Sequence, residues 1–253
     1  MRKFLFLALV LFASKIFAQS GEGGEPGAFM KNGFGARASS LGNSFTAIAN
    51  DVSAIYYNPA GLSTNTQLQV MGMYSNLFGA VSGLNYGNLG VSKGFEFGTV
   101  GLGVIYSSVS DIPYVENVSG PSGETFSDNE MALLFSFSRK VTDNLQIGLN
   151  TKIIRHSIAG FESTGYGLDV ALLSTINDKF SMGLMIQDAI GAKIKLNGRE
   201  DVYISKFKLG AAYKIIPSLT ISPEIFITGN KKLLFSIGSE YDIYKNMIKL
   251  RGG

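Results

Sequence analysis

Met131-Ala132-Leu133-Leu134-Phe135-Ser136-Phe137-Ser138 is the stretch that decides the fold. Met131, Leu133, Phe135 and Phe137 alternate with Ala132, Leu134, Ser136 and Ser138. Successive side chains of a strand point to opposite faces, so this period of two sets large apolar groups on one face and small or polar ones on the other. The rhythm recurs along the chain. Leu145, Ile147, Leu149, Thr151 and Ile153 alternate with Gln146, Gly148, Asn150, Lys152 and Ile154. Tyr166, Leu168, Val170 and Leu172 alternate with Gly167, Asp169, Ala171 and Leu173. Phe207, Leu209, Ala211 and Tyr213 do the same, as do Leu233, Phe235, Ile237 and Tyr241. Eleven such segments start near residues 66, 80, 97, 129, 144, 163, 179, 203, 218, 232 and 246. No helical segment separates them, which predicts an all-β, antiparallel meander.

The connections alternate in length. Thr142-Asp143-Asn144, Asn177-Asp178-Lys179, Pro217-Ser218 and Tyr244-Lys245-Asn246 read as tight turns. Longer connections fall near 110–127, 157–162, 190–202 and 229–231. Short turns at one end and longer loops at the other are the pattern of an outer-membrane β-barrel, with the short turns periplasmic. Odd-numbered strands then run outward, leaving residues 19–65 on the periplasmic side or inside the lumen. A soluble β-sandwich alternates too, but its outward face is rich in charge. Here the minor face is largely Gly, Ser, Asn and Ala, and the major face is Leu, Ile, Val, Phe, Tyr and Met, as suits a lipid-facing wall. Tyr106, Phe180, Tyr203 and Tyr241 lie near strand ends and are expected in interface girdles.

Composition agrees. The chain has 253 residues, 31 of them Gly, and no Cys or Trp. Its charged fraction of 16% is low against the ~25% of soluble domains, and its Gly content is high against a usual ~7%. The absence of Cys excludes disulfides, thiol nucleophiles and Cys-ligated zinc. One histidine, His156, leaves no multi-His metal site. Residues 1–18 read as a secretory signal peptide: Arg2 and Lys3, then an apolar run from Phe4 to Ala13, then Ala18 before Gln19. Ten apolar residues are too few for a membrane anchor, which needs roughly 20. The leader takes Arg2, Lys3 and Lys15 and no acid, so the formal +3 falls to zero in the mature chain and a nucleic-acid role loses its support.

The segment 35–62 is different in kind. Leu41, Phe45, Ile48, Val52, Ile55 and Tyr56 are spaced to share one face of a helical or turn-rich segment. Asn50 or Asp51 is placed to cap a short helix over 52–57, and Asn58-Pro59 ends it. Gly35, Arg37, Ala38, Leu41, Gly42, Ala47, Asp51, Ser53, Ala54 and the block Asn58-Pro59-Ala60-Gly61-Leu62 resemble the N-terminal signature of the PorV/PorQ family of outer-membrane proteins, relatives of the FadL-type transporters of hydrophobic compounds. Gly183-Leu184-Met185-Ile186-Gln187-Asp188 and Lys249-Leu250-Arg251-Gly252-Gly253 are similar to the family as well. The resemblance implies a fourteen-stranded barrel over 66–253 whose lumen is plugged by residues 19–65. Arg37, Asp51, Asn58, Pro59, Ala60 and Gly61 are then the candidate plug and lumen residues, with Arg37 and Asp51 favoured as fixing the plug rather than touching a ligand. Measured against that family the chain stops inside its eleventh strand, about three strands short, and is expected to be a truncated sequence.

Other signals carry less. Gly33-Phe34-Gly35-Ala36-Arg37-Ala38 has the form of a dinucleotide fingerprint but lacks the preceding strand and the βαβ unit. Asn117-Val118-Ser119 fits a glycosylation sequon that a bacterial-type leader makes uninformative. His156 has no nucleophile elbow to serve and reads as structural. Asp111, Glu116, Glu124 and Asp128 make 109–128 acidic, read as a solvated external loop. Lys206, Lys208 and Lys214 share one strand face near Lys193 and Lys195, as a lumen strip or as membrane flanks. No acid/base pair or nucleophile can be assembled, so no catalytic residue, metal or cofactor is expected and the chain is read as not an enzyme. By resemblance the first function expected is a component of type IX secretion that binds or shuttles exported cargo. The alternative is a FadL-like channel, in which a hydrophobic compound enters from outside, passes the plug and leaves through the wall. A porin-like protein without a specific substrate is a third, weaker option. The expected partners are outer-membrane lipid and either secretion proteins with their cargo or an apolar small molecule.

Overall fold

The computed structural model describes residues 25–76, 83–117, 120–229, 233–244 and 247–253. The expected leader 1–18 lies outside them, as do parts of the sequon and of the connections at 229–231 and 244–246. Thirteen strands follow a short N-terminal segment: β1 (Gln69–Asn76), β2 (Leu84–Phe95), β3 (Gly98–Asn117), β4 (Gly120–Thr142), β5 (Leu145–Ile158), β6 (Phe161–Asn177), β7 (Phe180–Ile190), β8 (Lys193–Leu196), β9 (Arg199–Val202), β10 (Lys206–Ile216), β11 (Leu219–Thr228), β12 (Leu233–Tyr244) and β13 (Ile248–Gly252). Eleven of them form one antiparallel sheet in the order β1-β2-β3-β4-β5-β6-β7-β10-β11-β12-β13, and β8 with β9 forms a separate hairpin. The eleven strands correspond to the eleven alternating segments.

The alternation sorts side chains as the period requires. Phe135 pairs with Thr151 and Ser136 with Asn150 across β4 and β5. Phe135 and Phe137 are 46% and 37% exposed on the outside, while Ser136 and Ser138 are 3% and 0% exposed on the inside. Leu102, Leu149, Leu172, Leu209, Ile225 and Ile237 continue this exposed apolar belt around the sheet. The packed core lies within the curl of the sheet, where Phe34, Leu41, Phe45, Ile55 and Tyr57 meet inward residues such as Tyr86, Ile105, Leu134 and Ile154. β1 and β13 are the two edges; in an antiparallel run of eleven they point the same way, and no ladder joins them among the described residues.

Three of the expected long connections are built differently. At 157–162 the chain turns in two residues, Ala159 and Gly160, both with positive φ (49° and 82°), the backbone a twisted two-residue hairpin needs. Region 110–127 is not an open loop. β3 and β4 run on past Val109 and Asp128, where their pairing to β2 and β5 stops, into a projecting two-stranded ribbon with rungs such as Ile112↔Phe126. The rings of Tyr114 and Phe126 pack on it, tilted by 50° with centroids 4.8 Å apart. Its Gly, Pro and Ser content disguised it, because three register shifts let the ladder continue around those residues. Region 190–202 is not an external loop either: it folds inward as the β8–β9 hairpin.

The helix expected over 52–57 spans Ala54–Tyr57, and Ser53, not Asn50 or Asp51, occupies its N-cap. Asp51 acts two residues upstream, where its Oδ1 accepts from Ser53 N at 2.9 Å. Asn58 is extended at φ −166°, as a residue before Pro prefers, and stops the helix.

Candidate functional site

Residues 25–65 fill the space inside the sheet, and their ties to the wall form the candidate site. The helix Ala36–Ser40 presents Arg37 toward the short-turn end. Its Nη1 donates to Asp51 Oδ2 at 2.8 Å and to Asn50 Oδ1 at 2.6 Å, and its Nε donates to Glu240 Oε2 on β12 at 3.1 Å. Glu240 also receives Lys249 and Arg251 of β13, at 3.2 and 2.7 Å. Burial by itself would lower the Arg37 pKa, but Asp51 and Glu240 outweigh it and the pKa is raised. Arg37 therefore stays charged and joins two parts of the plug to the wall, with its guanidinium 5.0 Å over the Phe45 ring.

Asn58 joins the opposite side. Its Nδ2 donates to Thr46 O at 2.8 Å and to Leu172 O on β6 at 3.0 Å, while Oδ1 accepts from Ala60 N at 3.1 Å. Pro59 and Ala60 abut the wall so closely that a Cβ on Gly148 would lie 2.1 Å from Ala60 N. Ser138 Oγ donates to Ala60 O at 2.7 Å. Gly61 packs on Ala49, where a Cβ would lie 1.9 Å from the carbonyl oxygen. All six candidate residues thus lie on the plug, but as two separate clusters. Asn58→Ala should cost about 1–3 kcal/mol, because it strands two buried carbonyls and one N–H. Asn58→Asp should cost at least as much, because it sets a buried carboxylate against the same two carbonyl oxygens; urea unfolding followed by heat-modifiable gel migration reads the difference.

Several ties were not singled out from sequence. Glu224 Oε2 on β11 accepts from Phe45 N and Thr46 N at 3.1 and 2.9 Å. Ser44 Oγ donates to Ser222 O, and Ser222 Oγ returns to Ser44 O at 2.9 Å. Ser181 Oγ on β7 donates to Ala47 O at 2.8 Å, and Tyr86 Oη on β2 donates to Gly33 O at 2.6 Å. Tyr57 Oη accepts from Phe34 N at 3.1 Å and donates to Asn43 Oδ1 at 2.7 Å, and burial pushes its pKa up to about 12. Within the wall, Lys152 Nζ bridges Asp169 Oδ1 at 2.7 Å and Asp188, all three side chains nearly solvent-free. The signal for Glu224, Lys152 and Asp169 was present: each is a charge on a face otherwise small and neutral.

Other expectations resolve as follows. Tyr106 and Tyr241 are exposed at strand positions, but Tyr203 is buried in the lumen cluster and belongs to no girdle. It lies in the chain that returns from the hairpin and is drawn inward with it. Lys208 points into the lumen, its Nζ 5.6 Å over the Tyr56 ring. Lys214 lines the cavity at the short-turn mouth, whereas Lys193 and Lys195 ride exposed on the hairpin. His156 Nε2 meets Asp128 Oδ1 at 2.7 Å, across β4 and β5 at the foot of the ribbon. The mouth cavity, about 680 Å³, lies between Ile48 and Asn50 of the plug and the turns around Lys179 and Ser218.

No family model matches the chain, and no curated protein matches it. Solved structures do. The toluene transporter TodX of Pseudomonas putida is 14% identical, with a TM-score of 0.60 over 87% of this chain and 82% of that one. A TodX variant described as a monoaromatic hydrocarbon channel gives a TM-score of 0.63, at 14% identity over 87% and 81%. A FadL homologue of Pseudomonas aeruginosa gives 0.56, at 13% identity over 83% and 76%. The likeness is one of fold: an antiparallel outer-membrane-type β-barrel with an internal N-terminal segment, its sheet open between β13 and β1.

Proposed function

We propose that this protein is an outer-membrane channel for the uptake of hydrophobic compounds. One observation carries the reading: the outward face of the sheet is a continuous apolar belt, while the polar and charged residues of the same strands turn inward onto a plug. A surface of that kind suits lipid. A lumen filled by a segment of the same chain suits a gated path rather than an open pore. The fold shared with a toluene transporter supports the same reading. Export through a cleaved leader at 1–18, and residence in the outer membrane, belong to the proposal.

Expression in a host lacking its own uptake barrels tests it. Initial uptake of toluene or a longer apolar compound should rise several-fold over an empty-vector control. Arg37→Ala should change that rate by loosening the plug. Equal uptake with and without the protein, across a panel of apolar compounds, would count against the channel. Cargo binding in type IX secretion rests on the resemblance of 35–62 to the PorV/PorQ signature. Its test is separate: a deletion strain that exports its secreted proteins normally would sink it.

A further inference from the structure

β7 leaves the wall abruptly. Leu168 pairs with Ile190 and Val170 with Ile186, so Gln187, Asp188 and Ala189 together face Asp169 alone. Asp188 sits at φ 57°, its N–H donates to Asp169 Oδ1 at 2.7 Å instead of to a strand, and Lys152 holds both carboxylates. Beyond this break the chain turns inward as β8–β9 and rejoins the wall at Lys206. The hairpin lies on the inner face of β6, where glycines admit it: a Cβ on Gly165 would lie 2.6 Å from Lys193 O, and one on Gly167 3.2 Å from Ile190 O. Ala192, Ile194 and Tyr203 then enter the same buried cluster as Phe29 and Met30 of the plug. The Tyr203 ring lies against Gly27, beside the Met30 methyl.

The two inserts are held very differently. The plug is fastened by side chains of β2, β4, β7, β11 and β12, and by Asn58 to β6. Among the described residues the hairpin shares no ladder with the main sheet. Its polar ties to the rest of the chain, among the same residues, are Lys195 N to Ser163 Oγ at 2.9 Å and, at its base, Tyr203 N to Ala192 O at 2.8 Å and Ser205 Oγ to Asp188 O at 2.6 Å. Elements held by few bonds open at lower free energy than those held by many, so the hairpin moves first. It also sits at the end opposite the short turns.

We infer that the β8–β9 hairpin is a displaceable lid, and that the patch of Phe29 and Met30 beneath Ala192, Ile194 and Tyr203 is an outer binding site for an uncharged apolar molecule. The hairpin's apolar side chains occupy that patch in the closed state, and such a molecule competes for it. Two of the nearby cations are paired, Lys152 with Asp169 and Asp188, and Lys31 with Glu25. This inference rests on the channel reading for its purpose, but the motion can be measured without transport.

The chain has no cysteine, so single thiols report cleanly. In the full-length protein in native outer-membrane vesicles, Ile194→Cys should react with a maleimide at least tenfold faster than Ala54→Cys, although both sites are buried in the closed structure. Ala192→Cys, also buried in the closed structure, serves as a second lid probe if Ile194→Cys loses heat-modifiable migration. Adding toluene as the apolar probe should speed lid labelling further and leave Ala54→Cys unchanged. Equal rates at lid and plug, or no response to the probe, overturn the inference. Oxidising a Ser163→Cys/Lys195→Cys pair should suppress lid labelling and cut uptake at least fivefold, with recovery on reduction. Locked protein that transports normally also overturns it. If the unlocked protein transports nothing, the channel reading fails while the labelling rates still decide the lid.

Discussion

Gly183→Ala and Gly148→Ala are expected to unseat the plug, and they are among the smallest substitutions that can be made. A Cβ on Gly183 would lie 2.1 Å from Thr46 O, and one on Gly148 would lie 2.1 Å from Ala60 N. Both obstacles are backbone atoms, so no side chain can rotate away. Each plug segment is also pinned nearby: Thr46 N by Glu224, and Ala60 O by Ser138. The clash must be relieved by withdrawing the plug, which forfeits those bonds too. The cost should therefore exceed the ~1–3 kcal/mol of an ordinary overpacked core. Gly72→Ala is the control. It lies on the outward register of β1, its nearest neighbour would be Leu89 Cδ1 at 3.6 Å, and it should be neutral. The measurement is protease cleavage within 33–63, together with the urea midpoint of the heat-modifiable band. If Gly183→Ala behaves like Gly72→Ala, the close approach of plug and wall is wrong.

These glycines also show what the sequence made legible. Alternation is a local property, so eleven strands, their inward and outward faces and the tight turns could be read from residues a few positions apart. The N-terminal segment stood apart by its break in period. The reason for the high Gly content could not. It is not chiefly a feature of a lipid-facing wall: Gly148, Gly183 and Gly210 turn inward to admit the plug backbone. That fact depends on Thr46 meeting β7 across more than a hundred residues. Arg37 could be singled out within the N-terminal segment, but its partner Glu240 could not, for the same reason. Region 190–202 was the largest error. Its polar tip looks like any exposed loop, and only the bulge at Asp188 and the glycines of β6 send it inward.

Lys152→Met is expected to be the most damaging single change in the wall. Lys152 is 2% exposed and is shared by Asp169 and Asp188, which are 1% and 2% exposed. Removing it leaves two buried carboxylates facing each other, with Asn150 Nδ2 at 2.9 Å from Asp169 as one remaining donor. Deleting one partner of a buried ion pair typically costs ~3–5 kcal/mol, because the surviving charge loses its contacting counter-charge without regaining solvent. A triple change, Lys152→Met/Asp169→Asn/Asp188→Asn, removes the charges together and keeps hydrogen-bonding groups of the same shape. It should recover most of the loss, since replacing all members of a buried ionic group is often near neutral. The urea midpoint of the reconstituted protein distinguishes the two. The single change should also loosen the base of the β8–β9 hairpin, through Asp188, and raise thiol reactivity at Ile194→Cys. The triple change should restore stability but leave that reactivity above the wild-type level, because an amide at 188 anchors the bulge through weaker bonds than a carboxylate held by Lys152. A single change as stable as wild type would mean that water reaches the cluster, and the latch would have to be sought elsewhere.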